Sequence, residues 1–182
     1  MYVSHGRQLI YVRVPRTGST WFLRHNRDLV HLSSGVDHET VWEAMSRDVW
    51  QEVSHYKRIG FVRQPLSWIP SFCYMCAQER RNWERYISDT EPYSRATGCT
   101  DRFLSNLKMT PFDWFTNPET GEVLVDTIYR TEDLHEMFPV NPEIRWKREN
   151  RRPSGDQYDL EFSDEGLAMM KDRFARELEY YK

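Results

Sequence analysis

Apolar residues along this 182-residue chain fall into short β-branched runs separated by polar breaks and by stretches with a three-to-four-residue period. Gln8–Val14 (Gln-Leu-Ile-Tyr-Val-Arg-Val), stopped by Pro15, predicts a buried strand, and Lys57–Arg63 before Pro65 predicts a second. Leu29–Leu32 fits a short strand ended by Ser33-Ser34-Gly35. The turn signal Asn117-Pro118-Glu119-Thr120-Gly121 leads into another over Val123–Tyr129. Helical spacing predicts a helix from near Thr20, one opened by Asp37 or His38 through Met45, and one over Ser46–Val53. Further helices are expected over Ser67–Tyr86, Asp101–Lys108, Phe112–Phe115 and Phe162–Tyr181. Pro70 should kink the first of these or shift its start, and Ser163-Asp164-Glu165 suits the cap and first turn of the last. Strands alternating with helices predict an α/β fold, a small parallel β-sheet flanked by helices in one domain over residues 1–182.

Composition narrows the class. Aromatic residues (7 Trp, 10 Tyr, 9 Phe) can fill a core large enough for a self-sufficient domain. Charged residues make up 29% and mean hydropathy is −0.78, which excludes a membrane-embedded chain. No apolar window approaches the roughly 18 residues a spanning helix needs. His5, Arg7 and Arg13 interrupt the amino terminus where a signal peptide would be apolar, so a cytoplasmic location is expected, with no membrane insertion. Three cysteines, Cys73, Cys76 and Cys99, rule out a disulfide scaffold and suggest a reducing compartment. Cys73 and Cys76, three apart on a helix, read as core thiols rather than metal ligands, because no histidine spacing completes a site. A net charge of −3 argues against nucleic acid as a partner. It leaves a local anion site open.

The loop after the first confident strand has the composition for such a site. Pro15-Arg16-Thr17-Gly18-Ser19-Thr20 offers a guanidinium, three hydroxyls, and a glycine that lets the backbone approach a ligand closely. A strand, a small polar loop and a helix start together place backbone N–H groups around an anion. The loop lacks the second glycine and the lysine of the Walker phosphate loop. An ordinary strand-to-helix turn is the competing reading.

Pro15-Arg16-Thr17-Gly18-Ser19-Thr20-Trp21 resembles the 5′-phosphosulfate-binding loop of the sulfotransferases that use 3′-phosphoadenosine 5′-phosphosulfate (PAPS) as donor. Arg16 stands where that family usually has Lys, and a fork-shaped guanidinium is not equivalent to a point-charge ammonium. Phe61-Val62-Arg63-Gln64-Pro65 and the residues through Ser71 resemble the family's 3′-phosphate motif, with Ser71 eight residues after Arg63. Gln64 replaces the usual Asp or Asn, and Trp68 stands at a common Arg position. Asn117–Leu134, including Asp126–Leu134, and Phe174–Tyr181 are similar to two further family segments, so the resemblance runs along most of the chain, closest to the carbohydrate-type and the bacterial and viral members.

The resemblance implies a P-loop-like sulfotransferase architecture. It assigns Arg16, Thr17, Gly18, Ser19 and Thr20 to the 5′-phosphosulfate and Arg63 with Ser71 to the 3′-phosphate, with no metal. Trp21 would stack on adenine or belong to the core. A general base must take the acceptor proton, and His, with an ordinary pKa of about 6.5, suits neutral conditions. His38 occupies the family's position for it; His55 and Glu39 are the other candidates. Arg151 and Arg152 in the basic run Arg145–Arg152 are candidates for a ligand-holding loop. The implied partner is a small-molecule or saccharide acceptor, bound by variable loops such as Ser88–Thr110. Two other classes stay open: a nucleotide or small-molecule kinase, and a non-catalytic nucleotide-binding domain.

Overall fold

The computed structural model describes residues 1–32, 38–78, 86–87, 99–134 and 162–182. The chain divides into two compact units, Met1–Arg63 with Pro111–Ile144, and Gln64–Thr110 with Arg145–Lys182.

The first unit holds an open five-stranded sheet: β1 (Tyr2–Ser4), β2 (Leu9–Val12), β3 (Val30–His31), β4 (Lys57–Val62) and β5 (Thr127–Arg130), in the order β3-β1-β2-β4-β5. β2 pairs parallel with β4, and β4 with β5, whereas β1 is antiparallel to both β2 and β3. Four strands therefore share one direction. The expected all-parallel sheet is corrected at β1, a three-residue strand joined to β2 through a hairpin. The chain leaves β2 toward β3 on one side and leaves β4 toward β5 on the other. The carboxyl ends of β2 and β4 thus flank a topological switch point, where open α/β sheets bind ligands.

Helices α1 (Ser19–His25), α2 (Val41–Met45) and α3 (Trp50–Val53) belong to this unit, with a 3-10 turn over Pro111–Phe115. Register puts Tyr11 opposite Ile59, and the alternation of strand side chains carries Phe61 to the same face. There they form a buried cluster with Phe22 of α1, Leu29 and Leu134. Tyr11 and Phe22 ring centroids are 4.6 Å apart, and Phe22 and Phe61 4.9 Å. On the opposite face Gly60 leaves room for Phe115, whose ring would stand 2.2 Å from any Cβ placed there.

The second unit contains α4 (Pro65–Gln78), α5 (Cys99–Asn106), α6 (Asp164–Arg173) and α7 (Ala175–Tyr180). Its core includes Trp68, stacked on Phe72 at 4.6 Å and tilted against Phe174 at 5.7 Å. The expected terminal helix is two helices, because Phe174 leaves helical geometry at φ −103° while staying fully buried. The expected helix over Ser67–Tyr86 is described only to Gln78 and begins at Pro65, so Pro70 does not displace its start. Pro70 simply has no N–H for the carbonyl one turn back. Ser163 caps α6 by accepting from Gly166 N–H and donates to Asp101 of α5. Arg173 bonds the Leu107 and Ser105 carbonyls, where α5 ends and a cation is favoured. Among the described residues no helix is long and apolar enough to cross a membrane.

Candidate functional site

The candidate residues of the first unit gather beyond the carboxyl ends of the parallel strands. After β2 the chain turns through Arg16 at φ 62° and Gly18 at φ 77°. Left-handed backbone costs a non-glycine residue about 1–2 kcal/mol, so Arg16 is held there by its surroundings. Thr17 supplies one restraint: its buried hydroxyl donates to the Val14 carbonyl at 3.0 Å. That hydroxyl ties the loop to the chain end of β2. A second restraint comes from beyond β5. Thr131 Oγ1 lies 2.8 Å from the Val62 carbonyl and 3.2 Å from the Thr17 carbonyl, one hydroxyl proton serving two loop ends. A Cβ on Gly18 would lie 2.7 Å from Leu134 Cδ1, so glycine is required there by both torsion and space.

Arg63 follows β4 directly, and its Nη1 donates to the Arg16 carbonyl at 3.4 Å. The two arginines expected to grip opposite ends of one ligand are therefore neighbours across adjacent parallel strands. Ser19 is buried at the start of α1, and Arg13 Nε reaches its hydroxyl at 3.5 Å. Thr20 is half-buried on the same first turn. Beneath the loop Tyr11 is fully buried. Burial pushes its phenol up, against the opposing pull of Arg13 and of the Ser19 and Thr17 hydroxyls, and it stays neutral at physiological pH. Trp21 stacks on His25 at 4.2 Å between ring centroids and packs against the Tyr11–Phe61 cluster. One indole face is thereby used within the protein.

His38 is also left-handed, at φ 62°. Arg16 and His38 are two of three non-glycine residues with positive φ among the described residues, the third being Gln8 in the β1–β2 hairpin. Such strain clusters at functional sites. His38 Nδ1 is 3.1 Å from the Arg13 carbonyl, at the loop end of β2. A carbonyl only accepts, so Nδ1 carries the proton, and in the neutral ring the Nε2 lone pair is the basic site. The expected helix start at Asp37 or His38 is corrected to Val41, with Thr40 and Glu43 forming a reciprocal capping box.

The rival bases fare differently. Glu39 is buried and its carboxylate is ion-paired with Arg47. His55 precedes β4 at its amino end, on the order of 20 Å from the loops by strand rise, with its ring edge-on to Tyr56.

Ser71 belongs to the second unit and is buried on α4, so its partnership with Arg63 rests on the motif. Gln64 accepts at its backbone carbonyl from Ser67 and Trp68 N–H and at Oε1 from the Ser67 hydroxyl at 3.3 Å. It caps α4 much as an Asp or Asn would, with Pro65 at the favoured first position. Trp68 is core, so no cation stands at that family position. Arg151, Arg152 and residues 88–98 lie outside the described residues. Cys73 and Cys76 are buried free thiols, and no group of three or more metal-ligating side chains occurs among the described residues.

Two site residues escape a reading of the sequence: Arg13, which touches Ser19, and Thr131, which ties two loops together. Arg13 lies two residues after Tyr11, on the same strand face, and that spacing could have flagged it. No family model, no curated protein and no solved structure matches the chain.

Proposed function

We propose that the protein is a PAPS-dependent sulfotransferase of P-loop-like architecture, moving a sulfuryl group to a hydroxyl or amine of a small-molecule or saccharide acceptor. One observation carries the reading: the Arg63 guanidinium meets the Arg16 turn at the carboxyl ends of neighbouring parallel strands. The donor set suits a doubly phosphorylated nucleotide, since two arginines stand at neighbouring strand ends beside a polar turn that opens a helix.

When bound, PAPS supplies the sulfuryl group and a phosphate leaving oxygen. Arg16 and the loop amides bind the 5′ end and offset charge on that leaving oxygen. Arg63 binds the 3′-phosphate. His38 Nε2 takes the acceptor proton as the acceptor–sulfur bond forms and the sulfur–oxygen bond to phosphate breaks. The protein's contribution is mainly position and charge.

Thermal melting with 3′,5′-diphosphoadenosine, adenosine 5′-monophosphate and ATP tests this. A ligand at 100 times its dissociation constant stabilises by about 2.7 kcal/mol, and the 3′-phosphorylated nucleotide should do so selectively. Selective stabilisation by ATP would replace the reading with a kinase. Selective 3′,5′-diphosphoadenosine binding with no transfer to any acceptor in a broad panel would leave a non-catalytic nucleotide-binding domain.

A further inference from the structure

The indole N–H of Trp114 donates to the main-chain carbonyl of His38 at 2.9 Å, across 76 residues of sequence. Trp114 is fully buried in the Pro111–Phe115 turn. That turn is anchored to the sheet, because Phe115 sits on the bare backbone of Gly60 in β4. Thr116 closes it by donating to the Phe112 carbonyl at 2.8 Å. His38 is thus held at two points, its carbonyl by Trp114 and its ring by the Arg13 carbonyl. Neither contact alone explains a left-handed histidine. Together they fix the main chain and aim the imidazole.

From this we infer that Trp114 is a positioning residue that keeps His38 in the left-handed conformation and its ring in the Nδ1–H tautomer. The assignment deepens the proposed reaction and rests on His38 as its base. Without the indole N–H, residue 38 relaxes to negative φ and its ring leaves the Arg13 carbonyl. The Nε2 lone pair then loses its fixed direction. Trp114→Phe keeps an aromatic ring in the core while removing the donor.

The experiment is long-range proton–nitrogen NMR of the histidine rings in the full chain, wild type against Trp114→Phe, with turnover and 3′,5′-diphosphoadenosine affinity measured on both. The expected wild-type spectrum shows His38 as the Nδ1–H tautomer. In the variant His38 shifts toward Nε2–H, turnover falls about 10- to 100-fold, as for a misplaced reacting group, and nucleotide affinity is unchanged. A purely structural Trp114 would lower the melting temperature and leave the tautomer alone; that result overturns the inference. If Trp114→Phe does not fold, the wild-type Trp114 indole N–H decides the matter. Slow solvent exchange and a scalar coupling to the His38 carbonyl are expected, and fast exchange without coupling overturns it. A tautomer that responds to the variant while neither protein transfers sulfuryl groups supports the positioning role and rejects the reaction assignment.

Discussion

The two ends of the sheet use arginine differently. At the amino ends of the parallel strands, Arg7 bonds Asp28 through Nε and Nη2 at 2.7 and 2.8 Å, and Arg58 bonds Asp126 at 3.1 and 3.3 Å. These are bidentate pairs between segments, although Gln8 beside Arg7 is itself left-handed at φ 49°. At the carboxyl ends Arg13 reaches the hydroxyls of Ser19 and Tyr2, and Arg63 reaches the Arg16 carbonyl. The backbone there is strained at Arg16 and His38. The same residue type thus clamps carboxylates at one end of the sheet and bonds hydroxyls and a main-chain carbonyl at the other.

The contrast breaks most visibly at the strained end. Arg16→Ala should lower turnover about 10²–10³-fold at saturating donor, the usual consequence of losing one stabiliser of developing charge. Its melting temperature should stay near wild type. A folded variant with wild-type turnover would make Arg16 another structural arginine.

Gly18→Ala should destabilise by about 2–4 kcal/mol in denaturant titrations, combining left-handed torsion with overpacking. Gly121→Ala sharpens this, since Gly121 has φ 75° but nothing within 4 Å of its added Cβ. That variant should show only the torsional part, about 1–2 kcal/mol. Equal losses at the two positions would mean that Leu134 and Thr131 do not press on the loop.

The smallest effect belongs to the amino end. Asp126→Asn weakens a clamp that is partly exposed to solvent, so about 0.5–1 kcal/mol is expected at neutral pH. Burial alone would raise the Asp126 pKa, but hydrogen bonds and charge from Arg58 bring it net below its ordinary 3.8. The unfolded chain therefore binds the proton more readily. The clamp's stabilisation is complete above that ordinary value and fades as pH falls below it. Unfolding wild type and variant across this range should show the difference shrinking with acid. A difference that grew with acid would contradict the assigned sign.

How much of this could be read from residues alone varies with how local the cause is. β2 and β4 were legible because β-branched runs end at Pro15 and Pro65. β1 was not, because three residues carry no period and Tyr2–Ser4 become a strand only by pairing with β2 and β3. β5 starts at Thr127 rather than Val123, because Val123 forms only an isolated bridge with Thr116. Thr40-Val41-Trp42-Glu43 carries a capping-box signature that places the start of α2 correctly, whereas His38 misleads because its charge and position say nothing of its torsion. The phosphate-type loop was legible since its residues are consecutive. The roles of Thr131 and Trp114 were not, since each acts through one hydrogen bond to a distant part of the chain.

Calorimetric titration of wild type and Arg63→Ala with 3′,5′-diphosphoadenosine and adenosine 5′-monophosphate addresses the central claim most directly, because the two ligands differ only in the 3′-phosphate. Wild type should prefer the diphosphate by about 10- to 100-fold, the worth of one charge-assisted contact of roughly 1.5–3 kcal/mol. Arg63→Ala should bind both nucleotides with nearly the affinity wild type has for the monophosphate. A variant that keeps the full wild-type preference would show that the Arg63 turn does not hold the 3′-phosphate, and the account of one ligand spanning both arginine-bearing turns would fail.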